Sequence, residues 1–510
     1  MSHARLSSCT LIGVRPVRVE VEIHVGSGLP TVQLVGLADT EVREARERVR
    51  CALLSGGLPF PHDRRVTINL APADLPKDSG RFDLPIALAL LVVSGHLEAE
   101  ALRGHVFAGE LALNGELRPI RAALPMVLAC ASQGWADAWV LPVASAREAS
   151  LVPGVRIAQA RHLNDIVAHF RGESTEGWGR LQARTHVAVA DTGPDLSDVR
   201  GHLGAKRALE LAAVGGHNLL MVGPPGSGKS MLAQRLPSLL PPPGEQESLQ
   251  TAALQSLAGQ DALAHWGQRP FRAPHHSATA AALIGGGSPP RPGEVSLAHH
   301  GVLFLDELPE FRRQALEALR EPLENHLITV SRAARQVEYD ADFQLIAAMN
   351  PCPCGQLGNP KGHCRCTPDQ VSRYQARLSG PLLDRIDMHM EVPLIAAHDL
   401  LQTPPGEPSA VVRARCHRAR ERAMARQGCC NARLGAAQLE ALGWTAAARE
   451  TLQQAAQRWA LSARAVHRIW RVAMTVADLA EAAQVDVPHL AEALQYRYRG
   501  NDRYMPGQGD

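Results

Sequence analysis

The sequence predicts a multidomain protein: an α+β N-terminal domain, an α/β nucleotide-binding core and a C-terminal region of helices. Three observations predict it. Before residue 170 apolar and polar residues alternate, as in Val17 to Val25 (VRVEVEIHV), the pattern of half-buried strands. In the middle of the chain an apolar run, Leu219 to Val222, leads into a glycine-rich turn and then a helical stretch, MLAQRLPSLL. After a proline-rich break, Gln402 to Pro408, the residues are mainly Ala, Leu, Arg and Gln, which favour helix. A length of 510 residues fits about three domains. The boundaries expected from these shifts are 1–170, a polar linker at 171–197, a core at 198–395 and the helical region at 396–510.

Composition narrows the class. Hydrophobic residues make up 45% and charged residues 20%, as in soluble globular proteins. The longest apolar run, Leu84 to Val93, is about half a membrane span. The first twenty residues lack the apolar core of a secretory signal, so a cytoplasmic location without membrane partners is expected. The net charge is only +2, so contacts to nucleic acid must come from local patches. Four of the ten cysteines crowd into Cys352 to Cys366, which in a reducing compartment points to metal rather than disulfides.

Taken in order, the N-terminal domain should hold strands at Val17–Val25, Thr31–Val35 and Arg65–Leu70. A charged helix is expected at Asp39–Leu54 and a buried one at Leu84–Val93. The charges on the first helix, Glu41 to Arg50, read as a solvated face. The stretch Leu75 to Leu84 (LPKDSGRFDL) resembles the loop that carries the serine nucleophile of Lon-type proteases. Arg81 stands at the nucleophile position, and Leu124 stands where the Lon lysine would be. A Ser–Lys pair needs a hydroxyl beside an amine, and neither is present. The resemblance therefore implies the Lon-like (ribosomal S5 domain 2-like) fold without the protease.

The core begins near Asp198, with a helix at Ala205–Val214. Gly223, Pro224, Pro225, Gly226, Ser227, Gly228, Lys229 and Ser230 fit the phosphate-loop template G-x-x-x-x-G-K-[ST], and its flanks supply the required strand and helix. Backbone N–H groups of such a loop cradle phosphates at a helix N-terminus; the lysine adds charge and Ser230 a hydroxyl for Mg²⁺. Downstream, Gly301-Val-Leu-Phe-Leu-Asp306-Glu307 delivers two carboxylates at the end of an apolar strand. Asp306 is expected to hold Mg²⁺ and Glu307 to polarise the attacking water. A third strand, Phe343 to Asn350, ends in a polar side chain that reads on its own as an ordinary strand-end turn residue, or as one suited to orienting that water. Arg385, in Ser379 to Asp387 (SGPLLDRID), can reach a neighbouring subunit's nucleotide, and reads equally as a surface salt-bridge residue.

Between Asn350 and Thr367 lies an insert with two C-x-C pairs, Cys352, Cys354, Cys364 and Cys366. Four thiolates suit tetrahedral Zn²⁺, and the insert has too few apolar residues to form a core of its own. His363 is a spare ligand. The adjacent His275 and His276 lack a clear third ligand and read as structural. Arg332 and Arg335, near the turn of a hairpin at Leu327–Tyr339, are candidates for gripping DNA phosphates, as is Arg272. The arginine-rich stretch Arg413 to Arg426 reads as a solvated helix face, with a DNA-facing helix as the sharper alternative.

Together these motifs resemble the AAA+ ATPases, and more narrowly the magnesium-chelatase-like ComM/YifB group. The resemblance is carried by Gly36 to Arg50, Asn69 to Pro76, Arg81 to Ala87, Phe271 to His276, Pro292 to His299, Asn350 to Gly355 and Pro381 to Asp387, and covers essentially the whole chain. It implies that Asn350 is sensor 1, Arg385 the arginine finger and Arg464 sensor 2 on a helical lid. It also implies a homohexameric ring with ATP between subunits, and a DNA helicase that promotes branch migration on branched or single-stranded DNA during integration of transforming DNA. The alternatives are a magnesium-chelatase-type motor subunit, a protein-remodelling ATPase and an ATP-switched scaffold.

Overall fold

The computed structural model describes all residues except 1–2, 36–39, 74–79, 136–137, 174–175, 182–192, 288–289, 333–334, 360–361, 397, 399–401 and 498–510. The start of the Gly36–Arg50 motif and the first half of the Lon-like loop, 75–79, thus lie outside the described residues. The chain forms two compact units. One comprises Met1–Val187 with Ser248–Trp266; the other comprises Ala188–Glu247 with Gly267–Asp510.

The first unit is a mixed eight-stranded sheet. Its order is Gly179–Leu181, Arg156–Ala160, Ala138–Pro142, His105–Phe107, His3–Ile12, Arg15–Gly26, Arg65–Ala71 and Thr31–Val35. Alternation does what the sequence predicts: Val19, Val21, Ile23 and Val25 are buried, while between them Glu20 and Glu22 are half-buried and His24 is exposed. Further along, Val140 joins one apolar cluster, and its neighbours Trp139 and Leu141 join another. The helix Asp83–Val93 is buried along its entire length, which accounts for its unbroken apolar sequence.

The structure corrects several expectations for this half of the chain. The strand His3–Ile12 was not expected; it alternates only as far as Ser7, and Ser8, Cys9 and Thr10 are then buried in succession. The expected linker carries the edge strand Gly179–Leu181, which pairs antiparallel with Arg156–Ala160. The helix Thr40–Ser55 is not simply solvated. Arg48 crosses to the fully buried Asp83 with two hydrogen bonds, at 2.7 and 3.1 Å. Burial pushes the Asp83 carboxyl up to about 6, against the opposing pull of Arg48.

Residues 248–266 were expected in the nucleotide-binding core. Instead Leu249, Ala252 and Ala262 fill the apolar cluster around Trp139 in the first unit. Leu249→Ala is accordingly expected to cost the first unit about 2–5 kcal/mol and to leave nucleotide binding intact. Denaturant unfolding followed alongside nucleotide titration separates the two effects.

The second unit is built on a parallel five-stranded sheet, ordered Phe271–Arg272, Val302–Leu305, Gln344–Met349, Leu219–Val222 and Met388–Glu391. Helices Leu203–Gly215 and Lys229–Leu239 share its apolar core with the C-terminal helices Ser409–Gln427, Ala446–Arg458, Ala463–Leu479 and Val487–Gln495. The helical region is thus continuous in packing with the nucleotide-binding sheet. Polar contacts reinforce this: Arg468 on Ala463–Leu479 donates to the buried Asp387 at 2.5 Å, and Asp387 also accepts from the backbone N–H of Asn218 at 2.9 Å. Burial alone would raise the Asp387 carboxyl, but His217 and Arg468 hold it well below the usual carboxylate range.

Candidate nucleotide site and cysteine cluster

In a parallel sheet, every strand delivers its following loop to the same edge. Here Val222 pairs with Met349 and Leu305 with Ala347. Gly223, Asp306 and Asn350, each the residue after its strand, therefore meet at the carboxyl edge. The loop then turns through Gly226 and Gly228, whose φ values of 76° and 81° lie in the left-handed region that a side chain disfavours. Gly228 caps the helix Lys229–Leu239, so the free N–H groups of its first turn point back at the loop.

Lys229 is buried. Its Nζ donates to the carbonyl oxygens of Gly223 at 2.8 Å and Pro224 at 2.9 Å, and lies 3.4 Å from Asn350 Oδ1. Burial holds its ammonium below the usual lysine range, with Asp306 and Glu307 pulling the other way. An ammonium hydrogen-bonded by neutral oxygens beside open helix N–H groups is a site for anionic oxygen. Ser230 Oγ donates to Asp306 Oδ2 at 2.5 Å, so the two residues expected to hold Mg²⁺ are in contact. Two oxygen ligands beside a phosphate cradle suit Mg²⁺, which takes few protein ligands and binds together with substrate phosphates.

Glu307 adopts a left-handed backbone at φ 51°. Its carboxylate is 3.0 Å from His276 Nδ1. The sequence reading had treated His276 as structural. The signal that finds it is topological: His276 follows the strand Phe271–Arg272, which runs parallel to the carboxylate strand Val302–Leu305. Arg272, a DNA candidate in the sequence, instead forms a two-pronged pair with Glu294 at 2.7 and 2.8 Å. Several arginines of the Arg413–Arg426 stretch are likewise engaged within the chain: Arg415 with Glu210 and Glu407, Arg420 with the Ala213 carbonyl and Arg426 with Asp478. Arg332 and Arg335 pair across the hairpin backbone, but their side chains and the turn at 333–334 lie outside the described residues.

Arg385 and Arg464 lie elsewhere. Both line a cavity of about 940 Å³ that also touches Asn218, Gly301, Gln344 and Asp387. Each of those four precedes or opens a strand, so the cavity lies at the amino edge of the sheet, opposite the phosphate loop. Arg385 pairs with Glu324, donates to the Pro381 carbonyl at 2.8 Å and is nearly buried. Arg464 is exposed, with a nitrogen 3.8 Å from the same Glu324. Arg464, which the resemblance implies is sensor 2, thus lies on the same edge as Arg385. Packing of Ala463–Leu479 against the amino edge, fixed by Arg468 and Asp387, sends it to the side where Arg385 is found.

The four cysteines of the insert converge. Among the described residues, Cys352, Cys354, Cys364 and Cys366 form one potential metal-binding group, with sulfurs all within 4.8 Å of one another. Three of the separations are 3.4, 3.7 and 3.7 Å. Tetrahedral zinc, with Zn–S near 2.3 Å, spaces its sulfurs about 3.8 Å apart. The Leu357 N–H points at Cys352 Sγ at 3.4 Å, as suits a sulfur carrying negative charge. His363 is exposed and stands outside the group.

Comparison with known proteins agrees with this architecture. Residues 195–400 match the family described as magnesium chelatase, subunit ChlI; residues 21–145 match subunit ChlI of Mg-chelatase; residues 406–497 match the ChlI C-terminal family. The chain is 45% identical to competence protein ComM of Haemophilus influenzae, over 98% of each chain. It is 44% identical to the uncharacterized protein YifB of Salmonella typhimurium and, equally, of Escherichia coli, over 98% of this chain and 97% of each relative. Among the described residues no helix is long and apolar enough to cross a membrane. A phosphate loop with its paired carboxylates on a parallel sheet, and near half identity along the full length, lead to one conclusion: the chain belongs to the magnesium-chelatase-like ComM/YifB family of AAA+ proteins, a membership that implies an ATPase.

Proposed function

We propose that the chain is an ATP-hydrolysing, ring-forming DNA motor: a helicase that promotes branch migration when transforming DNA is integrated by homologous recombination. The observation that carries this reading is the division of the nucleotide machinery between two edges of one sheet. Lys229, Ser230, Asp306, Glu307 and Asn350 lie at the carboxyl edge, and Arg385 and Arg464 at the amino edge. One chain holds both halves of a site and cannot bring them together. A ring, read here as a homohexamer, can do so, because each subunit then offers its arginine edge to the next subunit's phosphates. Glu324 serves as the in-chain counter-ion of Arg385 and Arg464 until a phosphate takes its place.

Within the site, Gly223 to Ser230 and Lys229 hold the phosphates, and Ser230 and Asp306 hold Mg²⁺. Bound Mg²⁺ supplies neutralisation of the charge that develops on the phosphate oxygens. Glu307 draws a proton from the attacking water and Asn350 orients it. The arrangement of the first unit is read as the Lon-like fold without its nucleophile, since Arg81 is buried against Met126 and Leu124 is fully buried. DNA as the partner rests on the hairpin carrying Arg332 and Arg335 and on likeness to a competence protein.

ATP turnover with and without forked and four-way DNA, together with strand displacement, tests the reading. Stimulation by branched DNA that is lost when Arg332 and Arg335 become alanine supports it. Turnover indifferent to every DNA moves the assignment to a magnesium-chelatase-type motor subunit or a protein-remodelling ATPase. The cysteine cluster is read as a structural Zn²⁺ site. Metal analysis should find about one zinc per chain, and zinc-free protein with four freely titrating thiols in the insert would refute that assignment.

A further inference from the structure

The cysteine insert is not a free-standing appendage. Its first ligand, Cys352, is two residues from Asn350, whose Oδ1 approaches the phosphate-loop lysine at 3.4 Å. The carbonyl of the intervening Pro351 is held by Gln375 Nε2 at 3.1 Å. After Cys354 the backbone turns through Gly355, at φ 73°, with its N–H bonded to the Cys352 carbonyl at 2.9 Å. A Cβ at Gly355 would lie 2.5 Å from Cδ and 2.7 Å from Cγ of Pro225, and 3.7 Å from Cγ of Asn350. The cysteine turn therefore lies with bare backbone against the phosphate loop, at a position only glycine permits. In the turn itself, from Cys352 to Gly355, burial is confined to Cys352 and Gly355, so little apolar packing is available to hold it.

We propose that zinc in the four-cysteine turn braces the nucleotide site, through Asn350 and through Gly355 on Pro225, so that zinc and nucleotide binding are thermodynamically linked. This rests on the readings of the phosphate loop and of the cysteine cluster given above. Without the metal, four unbonded thiols leave the turn with little to define its shape, and both Asn350 and Pro225 lose a wall. Linkage is reciprocal: whatever zinc does for nucleotide affinity, bound nucleotide must do for zinc. The site thereby acquires a dependence on zinc supply, and on oxidation of the thiols, that a phosphate loop alone does not have.

The test uses the full chain and two readouts that need no turnover. Zinc release by a mercurial thiol reagent is followed with a colorimetric chelator, with and without a non-hydrolysable ATP analogue. Affinity for that analogue is then measured before zinc removal, after it, and after zinc is restored. The analogue should slow release at least about fivefold, and zinc removal should weaken the analogue at least about fivefold, reversibly. Gly355→Ala, which retains all four thiols, should keep its zinc and bind the analogue about tenfold more weakly. A chain that carries zinc and binds nucleotide, with equal release rates and equal affinities, overturns the linkage and leaves the ATPase reading in place. A chain that carries no zinc, or binds no nucleotide, overturns the reading beneath it.

Discussion

Glu307→Gln should lower ATP turnover by about 10²–10⁴-fold, the usual worth of a positioned general base, while nucleotide affinity stays near that of the unaltered chain. The reasoning is geometric. Glu307 ends the carboxylate strand beside Asp306, and its own backbone N–H donates to Asp306 Oδ1 at 2.9 Å. Glutamine keeps the shape and that backbone bond but cannot accept a proton from water. The side chain is half exposed and contacts His276, so the exchange leaves no buried charge unpaired. Steady-state hydrolysis together with equilibrium binding of a fluorescent nucleotide decides the matter. Normal turnover would remove Glu307 from the chemistry, and lost binding would mean that the substitution had damaged the loop itself.

Arg385→Ala should be almost as severe, about 10³-fold or more in turnover if the guanidinium neutralises transition-state charge in the neighbouring subunit. The same substitution should spare nucleotide binding at the chain's own phosphate loop, which lies at the other edge of the sheet. A mixing experiment gives the sharper result. Lys229→Ala chains have a broken phosphate loop and an intact arginine edge; Arg385→Ala chains have the reverse. Combined, the two inactive proteins should regain part of the activity, because some interfaces then pair an intact loop with an intact arginine. Failure of mixed rings to recover activity would place Arg385 in a structural role, through its contacts with Glu324 and the Pro381 carbonyl.

What the sequence made legible divides along a physical line. The phosphate loop, the carboxylate pair and Asn350 were readable because each is a local pattern: a buried strand that ends in a particular residue. The parallel register then brings them together without further information. The convergence of the four cysteines was readable for the same reason, four thiols in one short segment. The partners of Arg272 and His276, Glu294 and Glu307, could not be read because they are chosen by how distant segments pack. The strand His3–Ile12 was missed because its alternation is short, breaking off at the consecutively buried Ser8, Cys9 and Thr10, two of them polar. The return of 248–266 to the first unit was missed because the helix Glu245–Leu257 is buried almost all round from Ser248 to Ser256, with polar residues among the buried ones, so its sequence does not announce which core will take it.

That return has a consequence for how the protein is made. The chain crosses between its two units three times: after Val187, after Glu247 and after Trp266. During synthesis from the N-terminus, the first 187 residues emerge as a sheet whose apolar cluster around Trp139 still lacks Leu249, Ala252 and Ala262. By the time those side chains leave the ribosome, the phosphate-loop strand and helix have already been exposed, without the later strands that will flank them. A gene cut after Val187 would encode a first unit that lacks Ser248–Trp266, and a second product that carries that segment without the cluster it fills. The first unit, although translated first, cannot complete its core until the phosphate-loop segment of the second has already been made, so birth order and folding order differ.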